Sequence, residues 1–102
     1  MHKSIETCMP LIKKICEKYH VSTLEIFGSA ANTTEQSVIN DIDFLIEFNE
    51  QGKMNYADNY FGLLNELEST LSKPIDLVVI STLKNPYFVQ SIAKSRKVLY
   101  AA

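Results

Sequence analysis

Asp41, Asp43 and Asp76 each sit in or beside a run of apolar, strand-forming residues, and this placement constrains the chain more than any other feature. Asp41-Ile42-Asp43 opens the run 41–48, and Ile75-Asp76-Leu77 opens the run 75–80. A carboxylate in such a strand is costly unless something pairs with it. Residues two apart in a strand leave the same face. Ile42, Phe44, Ile46 and Phe48 therefore share one side of the second run, and Asp41, Asp43, Leu45 and Glu47 share the other. Twelve residues before Asp41, the short apolar run 24–27 ends in Phe27-Gly28-Ser29. A Gly-Ser turn after a strand can present backbone N–H groups to a phosphate.

The segments between these runs are helical in pattern. Ile5, Cys8, Leu11, Ile12, Ile15, Cys16 and Tyr19 recur at helical spacing up to about His20. Thr7 as N-cap would put Pro10 in the first turn, where its missing N–H is harmless; the alternative is a longer helix with Pro10 inside. The polar segment 30–40 reads as a brief helical turn and a loop, and 49–53 as a loop. Ala57, Tyr60, Phe61, Leu64, Leu67 and Leu71 form the cleanest helical stripe, stopped by Ser72-Lys73-Pro74. Asn85-Pro86 starts a last helix reaching about Arg96, and 98–100 is a short extended tail. The order predicts an α/β (α+β) fold in one domain, 1–102, with one small sheet covered by about four helices. The strand carrying Asp41 and Asp43 should neighbour both others.

Composition limits what such a chain can bind. At 102 residues it cannot wrap a whole nucleotide and also bury its own core, so a partner chain or a homodimer is expected to complete the site. A net charge of −2 disfavours nucleic acid as the direct ligand. Lys13-Lys14 and the group Lys94, Arg96, Lys97 read as solvated helix faces, the second also being placed for a phosphate or partner contact. Cys8 and Cys16, two turns apart on one helix, cannot bond to each other and read as free thiols of a reducing cytoplasm. No stretch reads as a secretion signal or a membrane span, which again suggests a cytoplasmic protein. His2 and His20 are too far apart to suggest zinc.

Three converging carboxylates repel one another, and a divalent cation relieves that repulsion. Mg²⁺ prefers hard oxygen ligands, and a site of this kind can hold two ions. Asp41 and Asp43 would bridge the metal to a triphosphate, Asp76 would hold it at the attacking hydroxyl, and Gly28 with Ser29 would hold phosphates.

The segments 24–31, 40–48 and 74–78 together resemble the minimal nucleotidyltransferases of the DNA polymerase β superfamily, the small type paired with HEPN-domain proteins. The resemblance implies a mixed three-stranded sheet of the polymerase β palm type. It also implies Mg²⁺-dependent transfer of AMP, or another nucleoside monophosphate, from ATP to a hydroxyl. In HEPN-paired members the acceptor is a tyrosine of the partner RNase toxin, and the small protein is its antitoxin. The family's turn, Gly-Ser-x-Ala-Arg-Gly, has Asn32 and Thr33 at its last two positions here, which removes a phosphate-binding arginine. An antitoxin acting by contact alone is the alternative, with Tyr56, Tyr60, Tyr87 and Phe88 as candidate contact residues.

Overall fold

The computed structural model describes residues 3–28, 31 and 41–102. In chain order these form α1 (Lys3–Lys18), β1 (Val21–Phe27), β2 (Ile42–Phe48), a short α2 (Glu50–Met54), α3 (Tyr56–Leu71), β3 (Ile75–Val79), a 3-10 turn (Ile80–Thr82), α4 (Pro86–Ile92) and β4 (Lys97–Ala101). The expectation for 30–40 falls outside the described residues, apart from buried Ala31.

The strands form one mixed sheet in the order β3-β2-β1-β4. β2 lies antiparallel to β1 and parallel to β3, so it neighbours both, as expected. The sheet has four strands rather than three. The tail pairs antiparallel with β1, Leu24 opposite Tyr100 and Glu25 opposite Val98. Its sequence could not distinguish a loose extended segment from a strand, because a strand needs a partner edge and β1 supplies it.

One face of the sheet carries the main core. Leu24, Ile26, Ile42, Phe44, Ile46, Phe48, Leu77 and Val79 are buried there against Ile5, Ile12, Ile15 and Cys16 of α1 and Leu63, Leu67 and Leu71 of α3. α1 takes the longer form, with Pro10 inside it. The helix begins at Lys3, before Thr7, and its first turn buries Ile5 fully in the core. Thr7 caps nothing and donates its hydroxyl back to the Lys3 carbonyl at 3.0 Å. On α3 the buried line runs through Leu63 rather than the expected Ala57 and Phe61; Phe61 is 59% exposed. Gly62 has no room for a side chain beside the Tyr19 ring, and Tyr19 and Lys18 both bind Glu66, tying α1 to α3.

Residues 49–53 form most of α2 rather than a loop. Asn49 caps it by accepting from the Gly52 N–H at 3.0 Å, and Gly52 is buried against Phe48 and the His20 carbonyl. Ser72, in the left-handed region at φ 55°, ends α3 as expected. α4 stops at Ile92, short of Arg96.

The second face carries a smaller cluster of Phe27, Leu45 and Ile92, with Val78, Ile80, Leu83 and Phe88 packed around it. α4 covers this face, its Phe88 ring meeting Phe27 edge-on at 6.1 Å. Among the described residues no helix is long and apolar enough to cross a membrane.

Candidate active site

The end of β1 and the starts of β2 and β3 meet at one end of the sheet. Phe27 is the register partner of Asp43 across β1 and β2, and Asp43 is the register partner of Asp76 across β2 and β3. Register partners carry their side chains on the same face. Asp43 and Asp76 therefore stand side by side on the face that also carries Leu45, two residues on. Asp41 lies just outside β2, exposed, at the entrance to the same strand.

Gly28 closes the arrangement. Its φ of +76° is in the region that disfavours L side chains. A Cβ there would stand 2.6 Å from Asp43 Oδ2, so the turn passes directly over this carboxylate. Glycine is required by both conformation and space. Ser29, the other turn residue expected to hold phosphate, lies outside the described residues, as do Asn32 and Thr33.

Asp43 is half-buried, and its carboxyl is pushed above the ordinary carboxylate range. Burial is the largest cause, followed by the negative charges of Asp76 and Asp41 and a hydrogen bond shared with Asp76. The site thus raises the cost of its own negative charge, which a cation would offset. Among the described residues, no three His, Cys, Asp or Glu side chains close around a point suited to a metal ion. The assembled part is the pair Asp43–Asp76, with Asp41 near enough to act through its charge. Mg²⁺ usually takes one or two protein carboxylates and keeps water in its remaining positions, so hard oxygen donors in this number fit it.

Three other side chains bear on the turn or on β1 before it, and the sequence reading missed their contacts. The Gly28 N–H donates to Ser95 Oγ at 3.3 Å. Lys97 Nζ donates to the Ala31 carbonyl at 3.0 Å. Arg96 binds Glu25 through both Nε and Nη2, at 3.1 and 2.8 Å. Two of the three residues read as a solvated basic group therefore make structural contacts. The available signal was Glu25 itself, a charge between Leu24 and Ile26 that had to have a partner.

Of the candidate contact aromatics, Tyr60 and Phe88 are partly buried. Tyr60 donates to the Leu77 carbonyl at 2.6 Å and Phe88 packs on Phe27. Tyr87 is 80% exposed and Tyr56 is 42% exposed. An open apolar groove of about 410 Å³ runs between α3 and β3, reaching Leu77, the residue after Asp76.

Comparisons with known proteins agree on one group. A family model described as "Polymerase beta, Nucleotidyltransferase" matches residues 11–102. A protein of Methanocaldococcus jannaschii named "Putative protein adenylyltransferase" is 43% identical over 81 residues, covering 78% of this chain and 79% of that protein. A solved structure described as a "putative minimal nucleotidyltransferase" superposes with a TM-score of 0.72 at 20% identity, over 93% of this chain and 92% of that one. The complex of a tri-AMPylated Shewanella oneidensis HEPN toxin with its MNT antitoxin gives a TM-score of 0.60 at 17% identity, over 95% of this chain and 72% of that one. At such identities the two structures show a shared fold.

Proposed function

The chain belongs to the polymerase β nucleotidyltransferase family, and from that premise we propose that it is a Mg²⁺-dependent protein adenylyltransferase. It moves AMP from ATP to a tyrosine hydroxyl of a HEPN-domain toxin, for which it serves as antitoxin. The observation that carries this reading is the in-register pairing of Asp43 with Asp76 beside a glycine whose missing side chain leaves room for the Asp43 carboxylate. The relative named for protein adenylylation supports a protein acceptor. The AMPylated toxin held by a chain of the same fold supports a HEPN partner.

Asp43 and Asp76, with Asp41, are the groups that would hold Mg²⁺. Bound there, the metal would lower the pKa of the attacking hydroxyl and offset charge on the triphosphate. The chain's own residues do the rest. The turn at Gly28 takes the phosphates next to Asp43, and the acceptor oxygen enters on the Asp76 side. A bond forms from that oxygen to the α-phosphorus as the bond to pyrophosphate breaks, and Asp76 takes the hydroxyl proton.

The test is intact-mass analysis of the chain incubated with Mg²⁺, ATP and the product of its neighbouring gene. The expected result is the mass of AMP added to the partner, lost with Asp43→Asn. A folded, partner-bound chain that adds no AMP contradicts the reading. Toxin neutralisation that survives the double substitution Asp41→Asn and Asp43→Asn would instead assign the antitoxin role to contact alone.

A further inference from the structure

Of three consecutive residues at the junction of α4 and β4, two reach the turn that follows β1 and the third reaches β1 itself. Ser95 Oγ accepts from the Gly28 N–H at 3.3 Å and donates its own proton to the Ile92 carbonyl at 3.1 Å. Its hydroxyl is thus oriented, with a lone pair aimed at Gly28. Lys97 Nζ donates to the Ala31 carbonyl at 3.0 Å. Ala31 in turn closes the turn with its N–H on the Gly28 carbonyl at 3.2 Å. Between them, Arg96 makes a two-point contact with Glu25, which is 9% exposed on the adjoining strand β1. Planar pairing of this kind fixes the direction of both side chains as well as their distance.

We infer that Ser95 and Lys97 are positioning residues for the nucleotide donor, holding Gly28 and Ala31, the described residues of the turn after β1, at their working distance from Asp43, while Arg96 between them ties the same segment to β1. The inference rests on the adenylyltransferase reading, because it assigns the turn to phosphate. The tolerance at that point is small: the space over Gly28 Cα is already filled by Asp43 Oδ2, 2.6 Å from where a Cβ would stand. A turn that drifts changes the phosphate-to-carboxylate spacing directly, and small misplacements of reacting groups are expensive. The arrangement also places an ammonium group at the turn in a chain that has Asn32 where the family has arginine. Part of the fastening of this turn thus comes from the far end of the chain, 67 residues from Gly28 in the case of Ser95.

The test uses Ser95→Ala, Lys97→Ala and Lys97→Arg in the full chain, with two readouts. The first is amide hydrogen exchange without ligand. Gly28 should exchange faster in Ser95→Ala and Ala31 faster in Lys97→Ala, with the β2 amides unchanged. The second is titration with Mg²⁺ and a non-hydrolysable ATP analogue. Each alanine variant should bind about fivefold more weakly or worse, and Lys97→Arg should recover most of the loss. Wild-type binding with unaltered affinity and exchange in both alanine variants overturns the positioning role alone. A wild-type chain that binds no nucleotide overturns the adenylyltransferase reading and this inference with it.

Discussion

Gly28 and Asp43 set the terms for each other. Gly28→Ala would place a methyl group on a φ of +76° and against Asp43 Oδ2. The backbone term alone costs about 1–2 kcal/mol, so chemical denaturation should show a loss of at least that size. Asp43 carries a carboxyl raised from its ordinary 3.8 by burial and by its acidic neighbours. The folded chain therefore binds this proton more tightly than the unfolded chain does. The resulting stabilisation is fully present below the ordinary value and is lost as pH rises through the raised one. Thermal melts across the mildly acidic range should show stability falling with pH from this group. Asp43→Asn should flatten that dependence and melt higher at neutral pH, while abolishing AMP transfer. A substitution that stabilises the fold and removes activity is the signature of a carboxylate kept for function.

Among the elements, α3 shows most directly how the fold is held. Its buried line runs through Leu63, Leu67 and Leu71. Leu67→Ala should cost about 2–5 kcal/mol in denaturant unfolding, whereas Phe61→Ala, at a position 59% exposed, should cost under about 1 kcal/mol. Equal losses would mean the helix is rotated from the orientation described. α3 and the turn after β3 also cover the sheet edge. Ile42 donates to the Pro74 carbonyl at 3.1 Å, so in this parallel pairing the backbone N–H and C=O groups of residues 75, 77 and 79 point to the open edge while their side chains stay in the core. Glu68 accepts from the Ile75 N–H, Tyr60 donates to the Leu77 carbonyl, and Thr82 donates to the Val79 carbonyl. These contacts occupy part of the edge and disfavour addition of another strand there. At the opposite side, Arg96→Gln would leave Glu25 buried without its partner. A loss of about 1–3 kcal/mol is expected, partly recovered by adding Glu25→Gln.

For the molecule as a whole, what was legible in the sequence follows from the range over which each signal acts. Alternation in 42–48 marked the buried and acidic faces of β2, because a strand's two sides are written in successive residues. Asn85-Pro86 and Ser72 marked helix ends for equally local reasons. The extent of α1 was not local, because Ile5 is drawn into a core built from distant strands, overriding the cap that Thr7 offered. β4 depended on an open edge of β1, and the Ser95–Gly28 and Arg96–Glu25 contacts join residues 67 and 71 positions apart. The three acids could be named from spacing, but the pairing of Asp43 with Asp76 required the register of β2 with β3. The account therefore depends on a metal–nucleotide site built around Asp43 and Asp76 beside Gly28. Its most direct test is a crystal of the chain grown with Mn²⁺ and a non-hydrolysable ATP analogue, read by the anomalous signal of the metal. The expected result is a peak bound by Asp43 and Asp76, with the triphosphate on the Gly28 side. Nucleotide bound elsewhere, or metal absent from these carboxylates, would contradict the account.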